Sequence, residues 1–293
     1  MMNVREVAAY LNIKERKVYA LVQQGAIPAS RVAGKWLFPQ HLVDAWVADG
    51  IGAGTPARSH PAPAVPPVVA GSHDPLLEWS LRESGCGLAL MSGGSLDGLR
   101  RLAAGEAVVC GLHVLEPETG DYNVDAARRL LGALDFVLVE WAWRRQGLLT
   151  APGNPLGLAS VADLRDKRPR LVLREEAAGT TVLLAHLLAG AGIAASDLNR
   201  VPRVARSQSD VGLAILEGRA DAGLGVEAVA RQMRLAFLPL QRERFDLALR
   251  RRDYFEPPFQ RLLAFTREPA FAERAEALGY DVRTRGRIHH NAP

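Results

Sequence analysis

At 293 residues, 48% hydrophobic and 23% charged, the chain has the composition of a soluble globular protein and length for two or three compact units. A formal net charge of +4 permits contact with phosphate backbones without requiring it, and only two cysteines, Cys86 and Cys110, exclude a disulfide framework. No apolar run approaches the roughly 20 residues that span a bilayer, and MMNVREVAAYLNIKERK lacks an apolar h-region, so a cytoplasmic protein with no membrane partner is expected. In chain order, Val4, Val7, Ala8 and Leu11 mark a short amphipathic helix, followed by a tight turn at Asn12-Ile13. A second helix carries Val18, Leu21 and Val22 on one face and closes at Gly25, while Lys14, Arg16, Lys17 and Tyr19 occupy the other face. Ser30 to Val32 and Lys35 to Leu37 flank Ala33-Gly34 as a hairpin. Pro39 opens a third helix, whose Leu42, Val43, Trp46 and Val47 are expected to cover a small core.

Helix, turn, helix, hairpin, helix is a winged helix-turn-helix, expected over residues 1–49. The segment resembles the excisionase-like, or MerR-like, DNA-binding family through Glu6 to Leu11 (EVAAYL), Val18-Tyr19, Gly25 to Pro28, and Gly34 through Trp46. It departs at Lys14, where the family often has a Ser or Thr capping the recognition helix, a loss of about 1 kcal/mol. The resemblance implies a double-stranded DNA operator as partner. The second helix would enter the major groove with Arg16, Lys17 and Tyr19, and Lys14, Arg31 and Lys35 would lie along the backbone or adjacent minor groove.

Residues 50–69 are dominated by Gly, Ala and Pro with no amphipathic period, the composition of a linker. From residue 70 to 293, short apolar runs alternate with helical patterns, which points to βα units and parallel sheets. Expected strands are Val65 to Ala70, Leu88 to Met91, Ala107 to Cys110, Phe136 to Trp141, Arg170 to Arg174, Ala220 to Leu224 and Ala236 to Leu240. Expected helices include Leu96 to Ala104, Val124 to Leu134, Val182 to Ala191 and Val226 to Met233, and Ser160 with Asp163 reads as a capping box. Small hydroxyl and glycine residues gather where strands give way to helices: Ser72 and His73; Ser92, Gly94 and Ser95; Gly179, Thr180 and Thr181; and Ser207. Unpaired amides and the positive dipole end at such helix starts favour a compact anionic ligand, here clamped between two halves.

Gly71 to about Arg250 resembles the periplasmic-binding-protein-like domain that follows such helix-turn-helix units in bacterial regulators. The residues that carry this are GSHDP (Gly71 to Pro75), GSLDGL (Gly94 to Leu99), GLHVLEPETGDYN (Gly111 to Asn123), RRQGLL with PGNP (Arg144 to Pro155), and GRADAGLG (Gly218 to Gly225). The likeness is to type II, molybdate-binding-protein-like domains. It implies an α/β fold with two lobes, one about 70–148 and 241–293, the other about 149–240. The chain would cross near Gln146 to Pro152 and return near Leu238 to Arg242. The effector would be a small molecule or an oxyanion such as molybdate or tungstate, with His113, Gln146 and Arg174 beside the helix-start residues. Two departures bear on ligand identity: the family's GSGTR stands here as Ala177 to Thr181, without its arginine, and its TH as Ser207-Gln208.

His73 and His113 lack any H-x-x-x-H or cysteine support and are expected as neutral hydrogen-bonding groups, not metal ligands. Trp141 and Trp143 are expected in core and hinge packing, and no role is expected of His289-His290. The sequence has no G-x-S-x-G elbow, and neither a P-loop nor a G-x-G-x-x-G beside a suitable strand, so no catalytic residue, metal or cofactor is expected. Ligand-responsive transcriptional regulation, as a homodimer on paired half-sites, is the resulting expectation. Two alternatives stay open: a small organic ligand in the same architecture, and an architectural excisionase-like protein that binds DNA without ligand response.

Overall fold

The computed structural model describes residues 1–32, 34–50 and 65–291. The chain divides into two units, Met1–Ala64 and Val65–Pro293. In the first, α1 (Val4–Tyr10) begins with a reciprocal cap: the Glu6 amide donates to Asn3 Oδ1 at 3.0 Å and the Asn3 amide to Glu6 Oε2 at 2.7 Å. α2 (Glu15–Gln23) follows Lys14, which makes no side-chain cap hydrogen bond. β1 (Ser30–Val32) and β2 (Lys35–Leu37) pair antiparallel, Ser30 opposite Leu37; Ala33, in the expected turn, lies outside the described residues, as do residues 51–64 of the expected linker. α3 (Gln40–Gly50) starts one residue after Pro39. Val7, Val18, Ile27, Phe38 and Val43 form the buried core, and Phe38 exchanges two 2.8 Å backbone hydrogen bonds with Met2. Leu42, expected in that core, is 43% exposed; it stands about 100° around the helix from Val43, so Val43 turns inward without it.

The second unit contains, in order, β3 (Val68–Gly71), α4 (Pro75–Glu83), β4 (Ala89–Ser92), α5 (Ser95–Ala104), β5 (Val109–Leu112), α6 (Val124–Leu131) and β6 (Phe136–Thr150). Then come α7 (Asp163–Asp166), β7 (Leu171–Val172), α8 (Gly179–Gly190), α9 (Gln208–Leu216), β8 (Ala222–Val226), α10 (Glu227–Met233) and β9 (Ala236–Arg250). The chain closes with α11 (Arg251–Tyr254), α12 (Pro257–Phe265), α13 (Pro269–Leu278) and β10 (Ile288–Asn291). One eight-stranded sheet runs β4-β3-β5-β9-β6-β8-β7, with β10 paired to β6.

The sheet is mixed, where the βα pattern alone points to parallel pairing. β3 runs parallel to β4 and β5, and β7 to β8, but β9 is antiparallel to β5 and β6, and β6 to β8. The expected strands Phe136 to Trp141 and Ala236 to Leu240 are also too short. β6 and β9 each extend over 15 residues, because charged stretches that read as strand ends pair with each other: Arg144 opposes Glu243 and Gln146 opposes Gln241. The two strands pass side by side through both lobes and form the hinge. The first lobe holds β3–β5 and the Phe136 end of β6; the second holds β7, β8 and the Thr150 end. Ser160 contributes only its amide to the expected capping box, donating to Asp163 Oδ2 at 3.1 Å.

The apolar core follows this division. Leu99, Leu102, Leu112, Phe136 and Leu138 pack under α5 and α6 in the first lobe, and Leu148, Leu164, Leu171, Leu183 and Leu224 pack in the second. A third cluster joins α4, α12 and α13 to the hinge around Trp141, which meets Phe271 edge-on at 5.3 Å. Cys86 and Cys110 are buried free thiols.

Candidate functional site

Several of the sequence-predicted ligand residues lie at the seam where the two lobes meet. From the first lobe come the starts of α4 and α5 and the segment after β5. Ser72 Oγ lies 2.9 Å from Ser95 Oγ, which also accepts from the His113 amide at 3.2 Å. Gly94 has φ +123°, and a Cβ there would stand 2.9 Å from the Ala177 carbonyl oxygen of the second lobe. The Leu96 amide donates to that same oxygen at 3.2 Å. From the second lobe, α8 begins at Gly179 with no side-chain cap, leaving first-turn amides available. A Cβ at Gly179 would stand 2.5 Å from the His113 carbonyl oxygen.

Behind the seam, on the hinge strands, lies a buried polar network. Arg144 donates through Nε to Glu243 Oε1 at 2.7 Å and through Nη1 to Asp74 Oδ2 at 2.5 Å, and its guanidinium stacks on Phe245. His113 Nδ1 stands 2.9 Å from Glu243 Oε2, and Tyr280 donates to Asp74 at 2.5 Å. Gln146 Nε2 lies 3.1 Å from both Glu243 Oε1 and Thr180 Oγ1, and Gln208 Nε2 reaches the same threonine oxygen at 3.0 Å. Thr180 thereby ties the α8 start to the hinge.

The charges in this network are tuned by burial. Burial works against the Glu243 carboxylate, but the charges of His113 and Arg144, with hydrogen bonds from both, outweigh it and hold the carboxyl below its usual range. Burial pulls the His113 imidazole down, against the opposing pull of Glu243. Burial also lowers the Arg174 guanidinium to about 10, which leaves it cationic at neutral pH. Arg174 is 5% exposed, donates through Nη2 to the Arg206 carbonyl at 3.1 Å, and has no partner for Nε. Arg144 Nη2 and Gln146 Oε1 are likewise buried without a partner among the described residues.

Other predicted ligand residues are placed differently. Thr181 donates to the Glu175 carbonyl at 2.7 Å, and Ser207 caps α9 by accepting from the Asp210 amide at 3.0 Å, so both hydroxyls serve the backbone. Ser92 is exposed at the end of β4. His73 is buried, with Nε2 3.0 Å from Glu78 and Nδ1 unpartnered. Sequence reasoning missed Asp74, Arg144, Gln208, Glu243 and Tyr280 as members of the site; the one available signal was the charged run in each hinge strand. It also missed His289, which lies 2.8 Å from Glu140, and His290, which stacks on Phe136 at 4.3 Å.

In the first unit, Lys14, Arg16, Lys17, Tyr19, Arg31 and Lys35 are all exposed. Arg31 sits 5.6 Å over the Trp36 ring.

Comparison with known proteins accounts for both units. A helix-turn-helix domain model matches residues 1–50, and a PBP superfamily domain model matches residues 78–267, more than half of the chain. The chain belongs to the PBP superfamily. Both matched domains are binding domains, for DNA and for ligands, and neither family is catalytic. Uncharacterized protein YvgK of Bacillus subtilis is 25% identical over 303 residues, covering 97% of this chain and 96% of its own. The PBP fold is shared with a substrate-binding protein of Clostridium perfringens solved with bound phosphate. That likeness has a TM-score of 0.55 at 12% identity and covers 73% of this chain and 98% of the other. The sulfate-binding protein SubI of Mycobacterium tuberculosis gives a TM-score of 0.52 at 14% identity, over 74% and 86% of the two chains. Among the described residues no helix is long and apolar enough to cross a membrane.

Proposed function

We propose that the chain is a ligand-responsive transcriptional regulator whose PBP domain closes on a small oxyanion and whose helix-turn-helix reads a double-stranded operator. The domain is of the type II, molybdate-binding-protein-like kind, and molybdate, tungstate, sulfate and phosphate are the candidate effectors. The regulator acts in the cytoplasm as a homodimer, with the segment between α3 and β3 as tether. One observation carries the anion reading: Arg174, buried at the lobe seam and cationic, keeps Nε without an acceptor among the described residues. A buried charge so placed favours an anion that completes its hydrogen bonds. The adjacent α8 start, at Gly179 and Thr180, adds uncapped amides. Ser95, His113 and Gln146 would face the ligand, with Ser72 supporting Ser95. His73, Ser92, Gly94, Thr181 and Ser207 shape the surrounding turns. Phosphate and sulfate in the two similar solved structures agree with this class.

The test is thermal unfolding of the full chain with each oxyanion. A ligand at 100 times its Kd adds about 2.7 kcal/mol of stability. Removing a charged hydrogen-bonding group costs about 1.5–3 kcal/mol, so Arg174→Ala is expected to weaken binding roughly 10- to 150-fold. No shift with any anion would reject the reading.

For the DNA contact, Lys14, Arg16, Lys17, Tyr19, Arg31 and Lys35 are proposed to line the operator. Arg16→Ala is expected to weaken operator binding. If Arg16 contacts a phosphate, the slope of log K against log salt falls by about 1; if it reads a base, discrimination falls by about 1–3 kcal/mol at one position. Fluorescence anisotropy across salt concentrations separates the two, and an unchanged affinity would remove Arg16 from the interface.

A further inference from the structure

The seam holds two opposite unmet demands, and together they narrow the ligand. Gln146 is fully buried, and its orientation is fixed by its neighbours. Its Nε2 lies 3.1 Å from Glu243 Oε1, an atom that also accepts from Arg144 Nε. An ionised carboxylate only accepts hydrogen bonds, so the group facing it is the NH₂ and not the carbonyl. The same Nε2 faces Thr180 Oγ1. Gln146 Oε1 therefore points elsewhere, buried and with no donor among the described residues. Arg174 Nε and Arg144 Nη2 are buried donors with no acceptor among the described residues. All three residues belong to one stretch of the seam. Arg144 and Gln146 share a Glu243 oxygen, Gln146 reaches Thr180, and the next hydroxyl, Thr181 Oγ1, lies 3.4 Å from the Arg174 carbonyl oxygen.

Resting on the anion reading above, we propose that the effector is an anion that itself carries a hydrogen-bond donor. Its negative oxygens meet the arginines and its own O–H meets Gln146 Oε1. Hydrogen phosphate and small hydroxycarboxylates share this chemistry. Sulfate, molybdate and tungstate carry no proton at neutral pH and would leave Gln146 Oε1 unpaired. A site built to pair a ligand hydroxyl rejects the analogue that lacks it, because the buried polar group is then orphaned. The direct contact of the lobes at Ala177 with Gly94 and Leu96 favours a compact molecule.

The test compares matched anions on the full chain at pH 7.5 by isothermal titration and thermal unfolding. Inorganic phosphate is set against sulfate, molybdate and tungstate, and lactate against propionate; the two pairs distinguish an inorganic from an organic source of the donor. At least one donor-bearing member is expected to bind at least about tenfold more tightly than its partner without the hydroxyl, about 1.4 kcal/mol. Gln146→Met, which keeps the length and removes the acceptor, is expected to abolish that preference while some anion binding persists. Sulfate or molybdate binding the unaltered chain as tightly as phosphate or lactate would overturn the donor requirement and leave the anion reading standing. A preference that survives Gln146→Met would overturn the assignment to Gln146. Binding of no anion at all would overturn both readings.

Discussion

Arg144→Met is expected to destabilise the C-terminal unit by about 3–5 kcal/mol, the usual loss when one partner of a buried ion pair is removed. The side chain is 2% exposed and lies between Asp74 and Glu243, both buried. Without it, two carboxylates face each other with no arginine between them. The effect should depend on pH with a definite sign. In the intact chain the Glu243 carboxyl is held below its usual range, so its contribution is fully present above the unfolded glutamate value of about 4.3 and is lost as pH falls below it. In the variant the Arg144 charge and hydrogen bond no longer hold the carboxyl down, so their part of this contribution is absent at every pH. Urea unfolding should thus show the gap between the two chains widest at pH 7 and narrowest near pH 4. A loss under about 1 kcal/mol at pH 7 would mean that the network does not organise the hinge.

Gly179→Ala is expected to hold the lobes apart without harming either lobe. The added methyl would stand 2.5 Å from the His113 carbonyl oxygen and 3.0 Å from its ring, both across the seam, while alanine favours the helix that glycine starts. Overpacking of this kind costs about 1–3 kcal/mol, and opening the seam relieves it, so the cost should appear as ligand affinity lowered roughly 5- to 150-fold. Small-angle scattering should record a larger radius of gyration in saturating ligand than the unaltered chain shows. Unchanged affinity and unchanged size would mean that closure at this point is not part of binding.

The N-terminal unit was legible because its signals are local. The apolar spacing of Val4, Val7 and Ala8, the Gly25 turn and Pro39 each act within a few residues, and the helices follow them. The helix starts of the PBP domain were legible for the same reason, and Ser95, His113, Gln146, Arg174 and Thr180 gather at the seam. Thr181 and Ser207 show the limit of that reasoning: a hydroxyl at a helix start serves the backbone as readily as a ligand. The place of the hinge came only from the family resemblance, and its ion-pair network was not legible. Arg144 meets Asp74 across 70 residues and Glu243 across 99, so charges that neutralise each other in the fold read as separate polar segments in the chain. His289 was dismissed with the terminus, yet it pairs with Glu140 from a strand that only long-range pairing creates.

Gln146 and Glu243 sit on the strands that must bend when the lobes move, whereas Arg174 and Thr180 stand at the edge of one lobe. Drift in ligand preference should therefore proceed more freely through the latter pair. Substitutions at the former would alter selectivity and mechanical compliance in a single step, coupling what the protein senses to how readily it responds.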